Sequence, residues 1–268
     1  MGTPRYLDVL QGSMQYRELM QIDRLRGLEG AARAAGPTVV IDTFRAFTTA
    51  AVAHDRGVSR HILVESVADA TTLGARLPDA ILCGEEKGVK PAGFDLGNSP
   101  VEMLSFPIGD RTLIQRTTSG TGCVLRALRA GADPVYAAAL VTATATAWFV
   151  REQDELSIVA AGTHGVHPAP EDDVTADYLG GVVKGSGNPL TAHAMVDGAP
   201  TAIALRSAEW ADAGDVDICA DVDRYAFALL AHLRDDGHAE LVRIDPPEGS
   251  GFLDMFNRGK DEDAETSD

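Results

Sequence analysis

From residue 38 onward, short runs of β-branched and aliphatic residues alternate with longer stretches whose apolar positions recur at helical spacing. Thr38 to Ile41, Ile62 to Val64, Ala80 to Cys83, Thr112 to Gln115, Val135 to Leu140 and Ile158 to Ala161 read as strands. Thr48 to Asp55, Val67 to Arg76, Cys123 to Ala130, Thr142 to Gln153 and Asp172 to Lys184 read as helices. This alternation predicts an α/β domain with three α/β/α layers and a largely parallel or mixed sheet. Ser66, with Asp69 three residues on, predicts a helix N-cap and capping box. Upstream, Tyr6 to Leu10 suggests a further strand and Glu18 to Ala35 a helix, so residues 1–37 are expected to belong to the same domain. Leu190 to Trp210 reads as another helical stretch. The main domain is expected over 38–245, with room for two similar α/β halves, and the acidic, polar stretch 246–268 is expected to be a disordered tail.

Composition narrows the class. With 268 residues, 45% of them hydrophobic, the chain can bury a substantial core. It has no apolar run long enough to cross a bilayer, and Met1 to Tyr6 has no hydrophobic leader pattern, so a cytoplasmic location away from membranes is expected. A formal net charge of −17 without a basic stripe argues against nucleic-acid partners and leaves small anions as ligands. Cys83, Cys123 and Cys219 are odd in number and share no ligand-like spacing, so buried or incidental thiols are expected. A homodimer is expected only as the commonest state of such enzymes.

In open α/β sheets, ligands gather at the carboxyl ends of strands. Here those ends are unusually polar. Asp42-Thr43-Phe44-Arg45 follows the first strand, and Gly84-Glu85-Glu86-Lys87-Gly88 follows Ile81 to Cys83, with Gly93-Phe94-Asp95-Leu96-Gly97-Asn98-Ser99-Pro100 after it. Arg116-Thr117-Thr118-Ser119-Gly120-Thr121-Gly122 closes another run, and Gly162-Thr163-His164-Gly165 precedes Glu171-Asp172. Each piece alone also has a structural reading, such as an N-cap at Asp42 or a helix-dipole complement at Glu171 and Asp172. Together, on one predicted edge, they fit a hard divalent cation such as Mg²⁺, which takes one or two carboxylates plus substrate oxygens. The Ser119 to Gly122 turn offers hydroxyls and N–H groups to an anion, and Arg45 a planar fork for carboxylate, sulfonate or phosphate.

Several phosphate motifs are absent. There is no Gly-x-x-x-x-Gly-Lys loop, position 125 is Leu rather than the last Gly of a dinucleotide fingerprint, and Phe44 occupies the place of the second Asp of the aspartyl-phosphatase signature. His164-x-x-His167 lies in a Gly/Pro-rich loop without a third zinc ligand, and is read as a loop with one histidine near the anion.

The strings resemble the 2-phosphosulfolactate phosphatase family of coenzyme M biosynthesis. The likeness rests on Val39-Val40-Ile41-Asp42 through Arg45-Ala46, Thr48-Thr49, Gly84-Glu85, Gly93 to Pro100, Thr117-Thr118, Gly120-Thr121 and Glu171-Asp172. The Asp-rich stretch Asp215 to Asp223 resembles the family's C-terminal part. Phe47, where the family usually has Thr, Ser119, where Asn is usual, and the run Asp173 to Asp177 depart from the pattern. The resemblance implies a three-layer fold and Mg²⁺-dependent hydrolysis of a phosphate ester on the 2-hydroxyl of a short acid, 2-phosphosulfolactate to 3-sulfolactate and phosphate. On that basis Asp42 and Glu85 are expected to hold Mg²⁺, with Asp95 or Glu171 completing the shell. Arg45 and the turn Thr117, Thr118, Ser119, Gly120, Thr121 would hold phosphate, while Asn98 and Ser99 orient substrate or ligands. A phosphoenzyme on Asp42 is the alternative to a water nucleophile. The alternative functions are a phosphatase acting on another phosphorylated small acid, or a non-catalytic anion-binding protein.

Overall fold

The computed structural model describes residues 20–257. The possible strand Tyr6 to Leu10 lies outside them. Nine strands form one sheet in the order β1-β7-β2-β6-β8-β9-β3-β5-β4. These are β1 (Gln21–Arg26), β2 (Thr38–Ile41), β3 (Arg60–Leu63), β4 (Ile81–Gly84), β5 (Thr112–Arg116), β6 (Val135–Ala138), β7 (Glu155–Ala160), β8 (Ala228–Leu233) and β9 (Ala239–Ile244). The set β1-β7-β2-β6 is parallel, and so is β3-β5-β4. The hairpin β8–β9 joins them with three successive antiparallel pairings, so the two parallel halves run in opposite directions. The sheet is therefore mixed.

Helices cover both faces, as expected of an α/β/α fold. Within β2, Val40 packs in one buried cluster while Val39 and Ile41 pack in another, the period-two alternation of a strand buried on both sides. The first cluster unites Val40 and Val159 with Leu113, Ile81 and Cys83 from the opposite half of the sheet, through Phe47 and Ala50 of α2 (Ala46–Asp55) and Val124 of α5 (Gly120–Arg129). The sheet thus curls around α2 and α5. Ala46 to Ala53 are all buried, which is why α2 lacks a polar face. On the outer faces, α3 (Val67–Gly74) covers Ile62 and Ile114, and α6 (Ala143–Val150) and α7 (Pro170–Lys184) cover Val39, Ile41 and Ile158. The capping box at Ser66 and Asp69 forms, with Asp69 N–H donating to Ser66 Oγ at 3.0 Å.

Three sequence expectations are corrected. Glu18 to Ala35 is not one helix: β1 pairs in register with β7, and only α1 (Gly27–Ala31) is helical. Strand pairing overrides a segment rich in helix-forming residues, because the sheet edge offers hydrogen-bond partners along its length. Leu190 to Trp210 is two helices, α8 (Pro189–Asp197) and α9 (Pro200–Ser207), since Pro200 cannot continue a helix. The stretch from 246 is not wholly unstructured, because residues 252–257 form a helical turn that buries Phe252 and Phe256 against Trp148. Two further helices, α4 (Pro100–Ser105) and α10 (Gly214–Cys219), border the site.

Candidate functional site

The curl brings the end of β2 against the end of β5, although four strands separate them in the sheet. Asp42, just past β2, accepts Ala46 N–H on Oδ1 at 3.1 Å and Gly120 N–H on Oδ2 at 2.9 Å. A Cβ on Gly120 would stand 2.7 Å from Asp42 Oδ2, so only glycine permits this approach. Around Asp42 opens a cleft of ≈ 320 Å³ whose walls include Arg45, Glu85, Asn98, Thr118, Ser119 and Glu171. The cleft therefore gathers seven of the residues expected from sequence.

The others serve these from behind. Ser99 donates to Asp215 Oδ1 at 2.6 Å and accepts Glu102 N–H as the cap of α4. Thr117 and Thr121 bond each other, Thr121 N–H going to Thr117 Oγ1 and Thr121 Oγ1 to the Thr117 carbonyl. The N–H groups of Gly120 and Thr121, expected to meet phosphate, are thus already taken within the protein. Asp95, expected as a metal ligand, is placed elsewhere: it is exposed outside the cleft, and its carboxylate accepts Leu82 N–H at 2.8 Å. Its adjacent loop residues supply the site instead.

Four carboxylates converge on the cleft: Asp42, Glu85, Glu171 and Asp172. Glu85 is the most heavily engaged. Its Oε1 accepts Thr118 N–H, and its Oε2 accepts Thr118 Oγ1 at 2.9 Å and Gly88 N–H at 2.6 Å. Asp172 accepts Thr43 N–H at 2.8 Å and Gly162 N–H at 2.9 Å, tying the ends of β2 and β7 to the first turn of α7. Burial pushes the Asp42 carboxyl up to about 7, with the negative charges of Glu85 and Glu171 adding to the effect of burial. Burial also raises Glu171, and raises Asp172 well above the usual range together with the charges of Asp42 and Glu171. Burial and mutual repulsion both disfavour the charged forms of Asp42 and Asp172.

Two buried oxygens in the walls, Asn98 Oδ1 and Glu171 Oε2, have no hydrogen-bond partner. Buried polar atoms are nearly always satisfied, so this pair marks a place made for something else. The donor set of carboxylates and an amide oxygen suits a hard divalent cation. Among the described residues no three His, Cys, Asp or Glu side chains are arranged to hold a metal by themselves. A Mg²⁺ site completed by an amide and substrate oxygens needs no such trio.

Arg45 supplies the opposing charge. Its Nη1 donates to Asp215 Oδ2 at 2.7 Å in a buried ion pair, and its guanidinium carbon lies 5.5 Å from the centre of the Trp210 ring. Sequence reasoning did not assign Asp172, Asp215, Lys87, Thr201 or Trp210 to the site. Asp172 and Asp215 lay in strings already noted, whereas α9 and Trp210 reach the cleft only through the tertiary fold. His164 also lines the cleft.

A family model described as 2-phosphosulpholactate phosphatase matches residues 25–227, a span that holds every site residue named above. A probable 2-phosphosulfolactate phosphatase of Bacillus subtilis (strain 168) is 36% identical over 183 residues, 66% of this chain and 77% of the relative. A relative of the same description from Deinococcus radiodurans is 36% identical over 170 residues, 63% of this chain and 68% of the relative. No described helix is long and apolar enough to cross a membrane. The extent of the match and the convergence of its strings on one cleft lead to a single assignment: this chain belongs to the 2-phosphosulpholactate phosphatase family.

Proposed function

We propose that the chain hydrolyses the phosphate monoester of a small 2-hydroxy acid, converting 2-phosphosulfolactate and water to 3-sulfolactate and phosphate with Mg²⁺ bound. The observation that carries this reading is the pair of unpartnered buried oxygens, Asn98 Oδ1 and Glu171 Oε2, among the crowded carboxylates of a cleft that also presents Arg45. Family membership and the names of the relatives support the same reaction class.

Asp42 and Glu171, with the Asn98 amide oxygen, would hold the cation. When bound, Mg²⁺ would offset the carboxylate charge and the negative charge of the phosphoryl oxygens. Arg45 spends one N–H on Asp215 and keeps its remaining donors for anionic oxygens of the substrate. Glu85, with three donors on its carboxylate, one of them the Thr118 hydroxyl, braces the turn that carries the Ser119 hydroxyl toward the phosphoryl group. Asp172 fixes the backbone next to Asp42 through Thr43, and the end of β7 through Gly162. The reaction breaks the bond between phosphorus and the ester oxygen. Water supplies the new oxygen on phosphorus, and the ester oxygen departs as a hydroxyl with one of the water's protons.

The test is inorganic phosphate release from 2-phosphosulfolactate, phospholactate and phosphoglycolate, with Mg²⁺ and then with EDTA. Metal-dependent release that is fastest from the sulfonated ester is expected. A folded protein releasing phosphate from none of them would leave anion binding without turnover as the better reading.

A further inference from the structure

The deep part of the cleft and its mouth differ in chemistry. Asp42, Asn98, Glu171 and Asp172 are buried, whereas Lys87 and Trp210, which also line the cleft, are exposed, Trp210 by 62%. Lys87 makes no ion pair among the described residues, despite four carboxylates lining the same cleft. Its backbone is also unusual, with φ at 54°, in the left-handed region that glycine occupies without strain.

That conformation is fixed from both sides. Lys87 N–H donates to Thr118 Oγ1 at 3.0 Å, and the next residue's N–H, on Gly88, donates to Glu85 Oε2. The same two residues, Thr118 and Glu85, build the phosphate side of the cleft, so the lysine is registered to the reacting end. Across the opening, Trp210 stands over the Arg45 guanidinium and closes on the Lys87 loop, where a Cβ on Gly88 would lie 3.9 Å from Trp210 Cη2. A strained non-glycine residue held at a cleft mouth points to a use for its side chain.

We propose that Lys87 and Trp210 form a subsite that reads the acid group of the substrate, the sulfonate or carboxylate next to the phosphorylated carbon. This rests on the phosphatase reading above and names what selects among its substrates. A short 2-phosphorylated acid is anionic at both ends. With its phosphoryl group at the buried end, its acid group faces the mouth, where Lys87 supplies an ammonium. Trp210 borders that position and stands over the Arg45 guanidinium, keeping it directed inward.

The test compares kcat/KM for 2-phosphosulfolactate with that for sec-butyl phosphate, a secondary alkyl ester with neither carboxylate nor sulfonate, in wild type, Lys87→Gly and Trp210→Leu. Lys87→Gly removes the ammonium at a position glycine accommodates, so folding is preserved. The preference for the acid-bearing ester is expected to fall about tenfold in Lys87→Gly, mainly through KM, and by a smaller factor in Trp210→Leu. An unchanged preference in Lys87→Gly would overturn the subsite while leaving the phosphatase reading intact. Should wild type release phosphate from neither ester, that reading fails separately, and calorimetric binding of 3-sulfolactate then decides. Several-fold weaker binding to Lys87→Gly supports the subsite, and equal or absent binding in both proteins overturns it.

Discussion

Glu171 and Asp223 are both buried carboxylates, with 3% and 5% of their surface exposed, yet their surroundings are opposite. Asp223 accepts Thr144 N–H at 2.7 Å, Thr144 Oγ1 at 2.6 Å and the Tyr178 hydroxyl at 2.6 Å. Glu171 has an oxygen without a partner and stands among Asp42 and Asp172, whose charges repel it. Asp215 falls with Asp223, since Arg45, Ser99 and Val101 N–H all bond it. Carboxylates that hold the fold together are saturated within the chain, whereas at the cleft Glu171 keeps an oxygen without a partner. Local rules of satisfaction are expected to fail where a protein keeps groups ready for a ligand.

Substitutions at the two kinds of site should therefore separate activity from stability. The largest effect is expected from Asp42→Ala, with metal-dependent phosphate release falling about 10³-fold, equivalent to about 4 kcal/mol of barrier. Release within tenfold of wild type would remove Asp42 from the machinery. Asp223→Ala should do the reverse, costing about 3 kcal/mol of unfolding free energy while activity per folded molecule persists. Denaturant titration with parallel assays reads both quantities. Glu171→Gln is the sharper probe, because it removes a charge that burial and neighbouring carboxylates disfavour, while its amide oxygen can keep the hydrogen bond from Thr201. It should cost activity and raise stability by about 1 kcal/mol in metal-free buffer. A Glu171→Gln protein that is less stable than wild type would break the contrast.

Much of this division was legible in the sequence, and the reasons are local. Runs such as Val39-Val40-Ile41 are strands on almost any reading, so the residues that end them could be assigned to one edge. Glycine marked Gly120, where Asp42 leaves no room for a Cβ. What stayed hidden depends on tertiary partners. Ala228 to Leu233 has the composition of a helix and becomes β8 because β6 and β9 flank it. One signal there was usable: Asp236-Gly237, with Gly237 at φ 82°, is the turn chemistry of a β8–β9 hairpin. Asp95 lies in a string that does supply the site, and only the contact with Leu82 N–H shows that its carboxylate is spent on tying the loop to β4. Trp210 meets Arg45 across 165 positions of chain, a distance no spacing rule spans.

The smallest effect comes from a third buried polar group, the histidine pair inside the curl. His61 sits between Gln115 Oε1, 3.0 Å from its Nε2, and His54, 3.3 Å from its Nδ1. Gln115 passes the contact on by donating to the Ala46 carbonyl at 3.0 Å. Burial holds His61 well below the usual histidine range, and burial with Arg243 nearby lowers His54 to about 4. Both folded values lie under the unfolded value of about 6.5, so the unfolded chain binds more protons in this window and stability falls as the pH drops from 6.5 toward 4. Asp42 has the opposite sign: its raised value means that the folded state gains protons below pH 7, which offsets part of the loss. Wild type alone therefore shows only the sum. The informative quantity is the difference from His54→Gln, which keeps a polar group at a half-buried position and cannot titrate. Relative to that variant, wild type should lose about 1 kcal/mol between pH 6.5 and 5.5. Superimposable stability curves would mean that the pair takes up protons without cost, and that the interior of the curl is less closed to water than the cleft beside it.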